Sequence, residues 1–219
     1  MPGRVLPLVK GKVYHIFSKS IAEFKIFRNN IEYERMSNAV KYYKADNVPL
    51  KFSNFLRIKN KEKAFKRYFG KIKDRVKIMA YCFMPTHIHL VLEQLKPEGI
   101  SVFMSYICNS YTRYFNIKTK RKGPLWESRF KNVLVKTDEQ FLHLTRYIHL
   151  NPVTACVVEK PEDWSFSSYK EFLGEVGEEK AICSYSDLVK IDSKDYQKFV
   201  NSRIDYQKKL AKIKKIFLE

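Results

Sequence analysis

Two histidines, His87 and His89, stand two residues apart in the run HIHLVLE. In a strand that spacing puts both imidazoles on one face. Side by side, each offering one lone pair, they form half of a divalent-metal site. Ile88, Leu90 and Leu92 would then point the other way, into a core. Paired strand histidines also occur as plain surface residues, so the pattern needs a second element. DEQFLHLTRYIHLNPV supplies one: Tyr147 and Asn151 are four residues apart and share a helical face, with His143 one turn earlier. Phe141, Leu144 and Ile148 make a separate apolar stripe for packing. The helix therefore presents a phenol and an amide together, away from its packing seam. A histidine-triad hydrolase would carry a third histidine where Val91 stands. A two-motif HxT phosphoesterase would need a second copy, which His15, His143 and His149 do not provide.

Composition narrows the partner. Lys and Arg total 42 against 23 Asp and Glu, a formal net charge of +19 on 219 residues. Such a chain seeks a polyanion, nucleic acid first. A membrane surface ranks lower, because there is neither a clean basic amphipathic helix nor a lipidation motif. No apolar run reaches the roughly 18 residues of a membrane span, and no signal peptide is visible, so a cytoplasmic protein is expected. Cys82, Cys108, Cys156 and Cys183 form no CxxC pair and read as reduced thiols rather than a closed zinc site.

The elements that must position these groups follow from pattern. Val13 to Ser18 alternates as a strand, and Glu32 to Tyr43 reads as a helix. Ala45 to Phe55 reads as a loop, and Asn60 to Gly70 as a lysine-rich helix. Arg75 to Phe83 and His87 to Glu93 form an antiparallel hairpin around Met84-Pro85-Thr86. Ile100 to Asn116 is a long helix, and Lys118 to Pro124 a basic loop. Asn132 to Lys136 is a short strand. Asp138 to Leu150 is a helix with Asp138 as its cap and Pro152 just past its stop. Trp126 and Trp164 are assigned to the core, and Tyr111 and Tyr114 to packing. The order predicts an α+β domain, a ferredoxin-like or RRM-like antiparallel sheet with helices on one face.

The blocks CFMPTHIHLVLE, GPLWESRFKNVLVK and RYIHLNPVTACVVEKPEDWSFSSY together resemble the single-tyrosine HUH transposases of small insertion sequences and the REP-associated tyrosine transposases. The likeness runs from about Val13 to Gly174. It implies a domain over 1–174, with an insertion near 44–59, and a basic helical extension over 175–219. It implies that the histidine pair lies on a central strand and the tyrosine on a following helix. By the same resemblance Tyr147 is the nucleophile, and His87, His89 and Asn151 hold a divalent metal, Mg2+ or Mn2+. Lys118, Lys120, Arg121 and Lys122 on the basic loop, with Arg129 and Arg146, are candidate DNA contacts. The implied activity cleaves and rejoins single-stranded or hairpin DNA through a 5′-phosphotyrosine. The alternative is a binding module on the same fold that holds a DNA or RNA hairpin without cutting it. Insertion-sequence relatives imply a homodimer and the REP-associated branch a monomer. Where the family block often reads NPVRAG, this chain has NPVTAC, so Thr154 and Cys156 replace an arginine and a glycine.

Overall fold

The computed structural model describes residues 7–48, 50–70, 72–185, 191–209 and 211. Four strands, β1 (Val13–Lys19), β2 (Val76–Met84), β3 (His87–Gln94) and β4 (Lys131–Val135), form one antiparallel sheet in the order β2-β3-β1-β4. This is the expected α+β class with a four-stranded sheet, and β3 lies inside it. Residues paired across such a ladder share a face. His89 pairs with Phe17 and Cys82, and His87 with Lys19 and Met84. The alternate positions Ile16, Ile88, Leu90 and Leu92 are fully buried on the opposite face. Burying each of those side chains is worth about 1.5–3 kcal/mol. A slip of one residue would turn these apolar side chains to the histidine face and drive the histidines into the core in their place, so the apolar set fixes the histidine face.

Helices cover both faces. Helix α1 (Asn30–Tyr43) and α4 (Gly99–Thr119) pack over the face holding Leu90 and Leu92. Helix α5 (Asp138–Thr154) packs against β2 on the histidine face, with Phe141 and Ile148 buried among Met79, Ala80, Cys82 and Met84. The expectation of helices on one face thus holds for α1 and α4. The helix carrying Tyr147 sits opposite them. Its own apolar stripe has to be buried, and the Met79–Met84 side of β2 is what receives it.

Three local differences have clear causes. Part of the loop expected over Ala45 to Phe55 is a short helix, α2 (Phe52–Arg57), followed by α3 (Lys61–Phe69). Phe52 and Phe55 close an aromatic cluster around the buried Tyr42. Helix α4 runs three residues past Asn116, so Lys118 lies on its last turn and not in a loop. Helix α5 is capped by Thr137, whose Oγ1 accepts from the Gln140 amide at 3.1 Å, rather than by Asp138. It also continues through Pro152. That proline forfeits only its own N–H bond, and Ala155 N–H still donates to Asn151 O at 2.9 Å.

Beyond residue 154, α6 (Tyr169–Phe172) and α7 (Ser193–Asn201) return to the α5 side, burying Tyr169, Tyr196 and Val200 there. Residues 186–190, 210 and 212–219, part of the extension expected to be helical, lie outside the described residues. The tryptophans pack as expected: Trp126 Nε1 donates to Cys108 O and Trp164 Nε1 to Phe83 O. Tyr111 is buried, with its hydroxyl donating to Ile26 O at 2.6 Å. The four cysteines are free thiols. Among the described residues no helix is long and apolar enough to cross a membrane.

Candidate active site

The site is assembled from three elements. The tight β2–β3 turn is held by the chain beside it: Ser20 N–H donates to Thr86 O, and the amides of Ile26 and Phe27 both donate to Pro85 O. From that fixed turn His87 and His89 project side by side, their ring centroids 5.0 Å apart and nearly perpendicular. Helix α5 then brings Tyr147 edge-on to His89, with centroids 5.9 Å apart and planes at 85°. The Tyr147 side chain is 45% exposed, open to a macromolecular substrate. Asn151 lies one turn further along the same helical face.

A third imidazole joins them. His15 on β1 places Nε2 2.9 Å from His89 Nδ1, with its ring nearly parallel to that of His89 and 6.5 Å from Tyr147. The run VYHIFS carries no signal for this, because a single histidine in a strand announces neither its face nor its neighbour. The strand register decides it. His15 pairs with Val91, so it shares the face of His89 and stands one diagonal step away.

Burial sets the charge state of all three rings. Desolvation pushes His15 down to about 4. It pushes His87 to about 4 as well, helped by Lys19. His89 falls well below its usual value through burial and through the neighbouring His87, His15 and Lys19. Neutral imidazoles keep a lone pair, the form a metal requires. At Asn151, Nδ2 is buried and has no hydrogen-bond partner. A half-turn of the amide exchanges N for O, so this unused end can offer Oδ1 instead. Two neutral imidazoles and a spare amide fit a divalent ion that keeps open positions for phosphate and water. Among the described residues no three His, Cys, Asp or Glu side chains converge on a metal position.

The expected DNA contacts separate into two groups. Lys118 donates to Glu32 Oε1 at 3.0 Å, and Arg28 pairs with the same buried carboxylate at 2.6 Å. Lys118 thus links α4 to α1 while its side chain stays partly exposed. Arg146 makes a similar link: its guanidinium lies 4.0 Å over the Phe199 ring and 2.8 Å from His143 Nδ1, tying α5 to α7. Arg121 bonds Asn116 Oδ1 and Gly123 O. Lys120, Lys122 and Arg129 are exposed. Lys120 occupies the left-handed position that ends α4.

One buried group escaped the sequence reading. His149 is fully buried, with Nδ1 2.7 Å from the Tyr196 hydroxyl and Nε2 2.8 Å from Ser168 Oγ. It locks the helix carrying Tyr147 to α7 and to the segment entering α6. A histidine opposite an apolar stripe shows no such role until its distant partners are known.

Residues 53–151 match the family described as IS200-like transposase, a span that includes His87, His89, Tyr147 and Asn151. A putative REP-associated tyrosine transposase of Haemophilus influenzae is 28% identical over 101 residues, covering 42% of this chain and 57% of that protein. The REP-associated tyrosine transposase of Escherichia coli is 29% identical over 101 residues, covering 44% and 57%. The chain therefore spans little more than half the length of these relatives. Its fold matches that of a REP-associated tyrosine transposase bound to a REP hairpin, with a TM-score of 0.53 at 16% identity, over 87% of this chain and 99% of the other. The segment that bears the histidine pair and the tyrosine helix is thus similar to the IS200-like transposases, and the fold is similar to that of a REP-associated tyrosine transposase.

Proposed function

We propose that this chain is a transposase that cuts and rejoins single-stranded DNA next to a hairpin, with Tyr147 as nucleophile. The observation that carries the reading is the placement of an exposed tyrosine edge-on to the inner histidine of the pair, within one chain. The relative whose fold matches is bound to a REP hairpin, which supports a hairpin as the partner class. On this reading 1–174 is the catalytic unit and 175–219 an extension.

A phosphodiester resists attack because its anionic oxygens repel a nucleophile. A divalent ion, Mg2+ or Mn2+, held by His87, His89 and Asn151, would supply the positive charge that polarises the phosphate. Tyr147 Oη attacks phosphorus after losing its proton, and the bond from phosphorus to the 3′ oxygen breaks. That oxygen takes up a proton and leaves as a 3′-hydroxyl, while the 5′-phosphate stays on Tyr147. The phenolic ester conserves the energy of the broken bond. A new 3′-hydroxyl can therefore displace Tyr147 and complete strand transfer without a nucleotide cofactor. Tyrosine suits both directions, since a phenol with pKa near 10 is a better leaving group than an alcohol.

The test is a denaturing gel. An end-labelled single strand carrying a hairpin is incubated with the protein and Mn2+, and a covalent protein–DNA band is expected. Tyr147→Phe should bind the same strand and give no band. A band persisting in that variant would assign the chemistry to another tyrosine. Tyr106→Phe and Tyr206→Phe are the controls, because both residues are also large and exposed.

A further inference from the structure

We propose that His15 is a positioning residue that fixes the tautomer of His89, and that Thr86 does the same for His87. The inference rests on the reading of His87 and His89 as metal donors. A neutral imidazole carries one ring proton and one ring lone pair, and which nitrogen holds which is set by its partners. Both histidines have Nδ1 occupied. His89 Nδ1 is 2.9 Å from His15 Nε2, and His87 Nδ1 is 3.0 Å from Thr86 Oγ1. With the proton on Nδ1 in each ring, His89 donates to His15 Nε2 and His87 donates to Thr86 Oγ1. Both Nε2 lone pairs are then left free on the same sheet face. His15 keeps its own proton on Nδ1, so its Nε2 lone pair is used on His89.

The two supports differ in origin. Thr86 comes from the turn itself, held by the amides that bind Pro85 O and Thr86 O. His15 comes from the neighbouring strand β1, outside the stretch 53–151 that matches the family. His89 is 6% exposed and His15 9%, so water has little access to replace this bond. A competing role, His15 as a third metal ligand, would need its Nε2 lone pair to face the ion. In the structure that nitrogen faces His89 Nδ1 at 2.9 Å, which fits the supporting role.

Partners of this kind typically contribute about 10- to 100-fold to metal affinity. The experiment has two arms. In the first, nitrogen-15 NMR of the metal-free wild-type protein reads the ring tautomers, and His89 is expected with its proton on Nδ1. A His89 proton on Nε2 overturns the proposal. In the second, calorimetry measures Mn2+ affinity. His15→Phe keeps a flat ring but removes the acceptor, and should lower affinity about 10- to 100-fold. His15→Gln restores an acceptor oxygen and should recover most of that loss. Thr86→Val should lower affinity in the same direction. Wild-type affinity in His15→Phe overturns the proposal, and so does a Gln variant as weak as the Phe variant, which would make His15 a ligand. The metal reading fails separately, if wild-type protein takes up no Mn2+ or the His87→Ala, His89→Ala double variant binds it unchanged. The tautomer arm needs no metal and judges His15 in that case as well.

Discussion

Tyr196→Phe removes one oxygen from the core and probes how the helix that carries Tyr147 is held. The Tyr196 hydroxyl lies 2.7 Å from His149 Nδ1, and neither residue is exposed. The substitution leaves the ring in place, so packing is kept and no large cavity forms. What is lost is the buried bond to His149 Nδ1, with a side-chain interaction with Thr145, and His149 Nδ1 is left without that partner. A bond of this kind is worth about 1 kcal/mol net, and stranding a buried polar atom costs about 1–3 kcal/mol. The expected destabilisation is therefore about 1–3 kcal/mol. For a chain of this size that lowers the melting midpoint by about 2–4 °C per kcal/mol. Urea unfolding followed by circular dichroism gives the free energy directly, with exposed Tyr206→Phe as the control expected within about 0.5 kcal/mol. His149 stands two residues from both Tyr147 and Asn151, so adduct formation should slow without disappearing. A loss below about 0.5 kcal/mol would show that the His149–Tyr196 bond does not hold α5 to α7.

Other consequences follow from single residues. Cys156 ends α5 in the left-handed region at φ 53°, with Cys156 N–H donating to Val153 O and Val157 N–H to Pro152 O. Glycine there relieves a cost of about 1–2 kcal/mol, partly offset by its freer unfolded chain, so Cys156→Gly should raise the unfolding free energy measured in urea by about 0.5–1 kcal/mol. Burial acts to raise the Glu32 carboxyl, but hydrogen bonds from Arg28 and Lys118 outweigh it and hold the group below its usual 4.5. The stability this carboxylate contributes is present above pH 4.5 and lost as pH falls through the lower folded value. Glu32→Gln should accordingly be less stable at neutral pH and show a shallower acid transition by circular dichroism. DNA affinity should fall with salt by about 0.7 in log K per log unit for each phosphate contacted on a single strand. Neutralising Lys120, Lys122 and Arg129 together should flatten that slope in a fluorescence titration. Lys118→Gln should instead lower the unfolding midpoint and leave the slope alone.

Much of the site was legible in the residue pattern because its logic is local. An alternating strand puts His87 and His89 on one face, and the same alternation buries Ile88, Leu90 and Leu92 on the other. A helical repeat puts Tyr147 and Asn151 on one face because four residues make about one turn. These relations hold wherever the elements are placed. What only the tertiary structure decided depends on contacts between residues far apart in the chain. The β1–β3 register brought His15 to His89 across 74 positions. Packing of α7 took up Arg146 and gave His149 a partner 47 residues away. Glu32, 86 residues from Lys118, gave that lysine an ion-pair partner on α1. Charge and residue type are written in the sequence, but the partner that uses up a charge or fixes a ring proton is chosen by the fold.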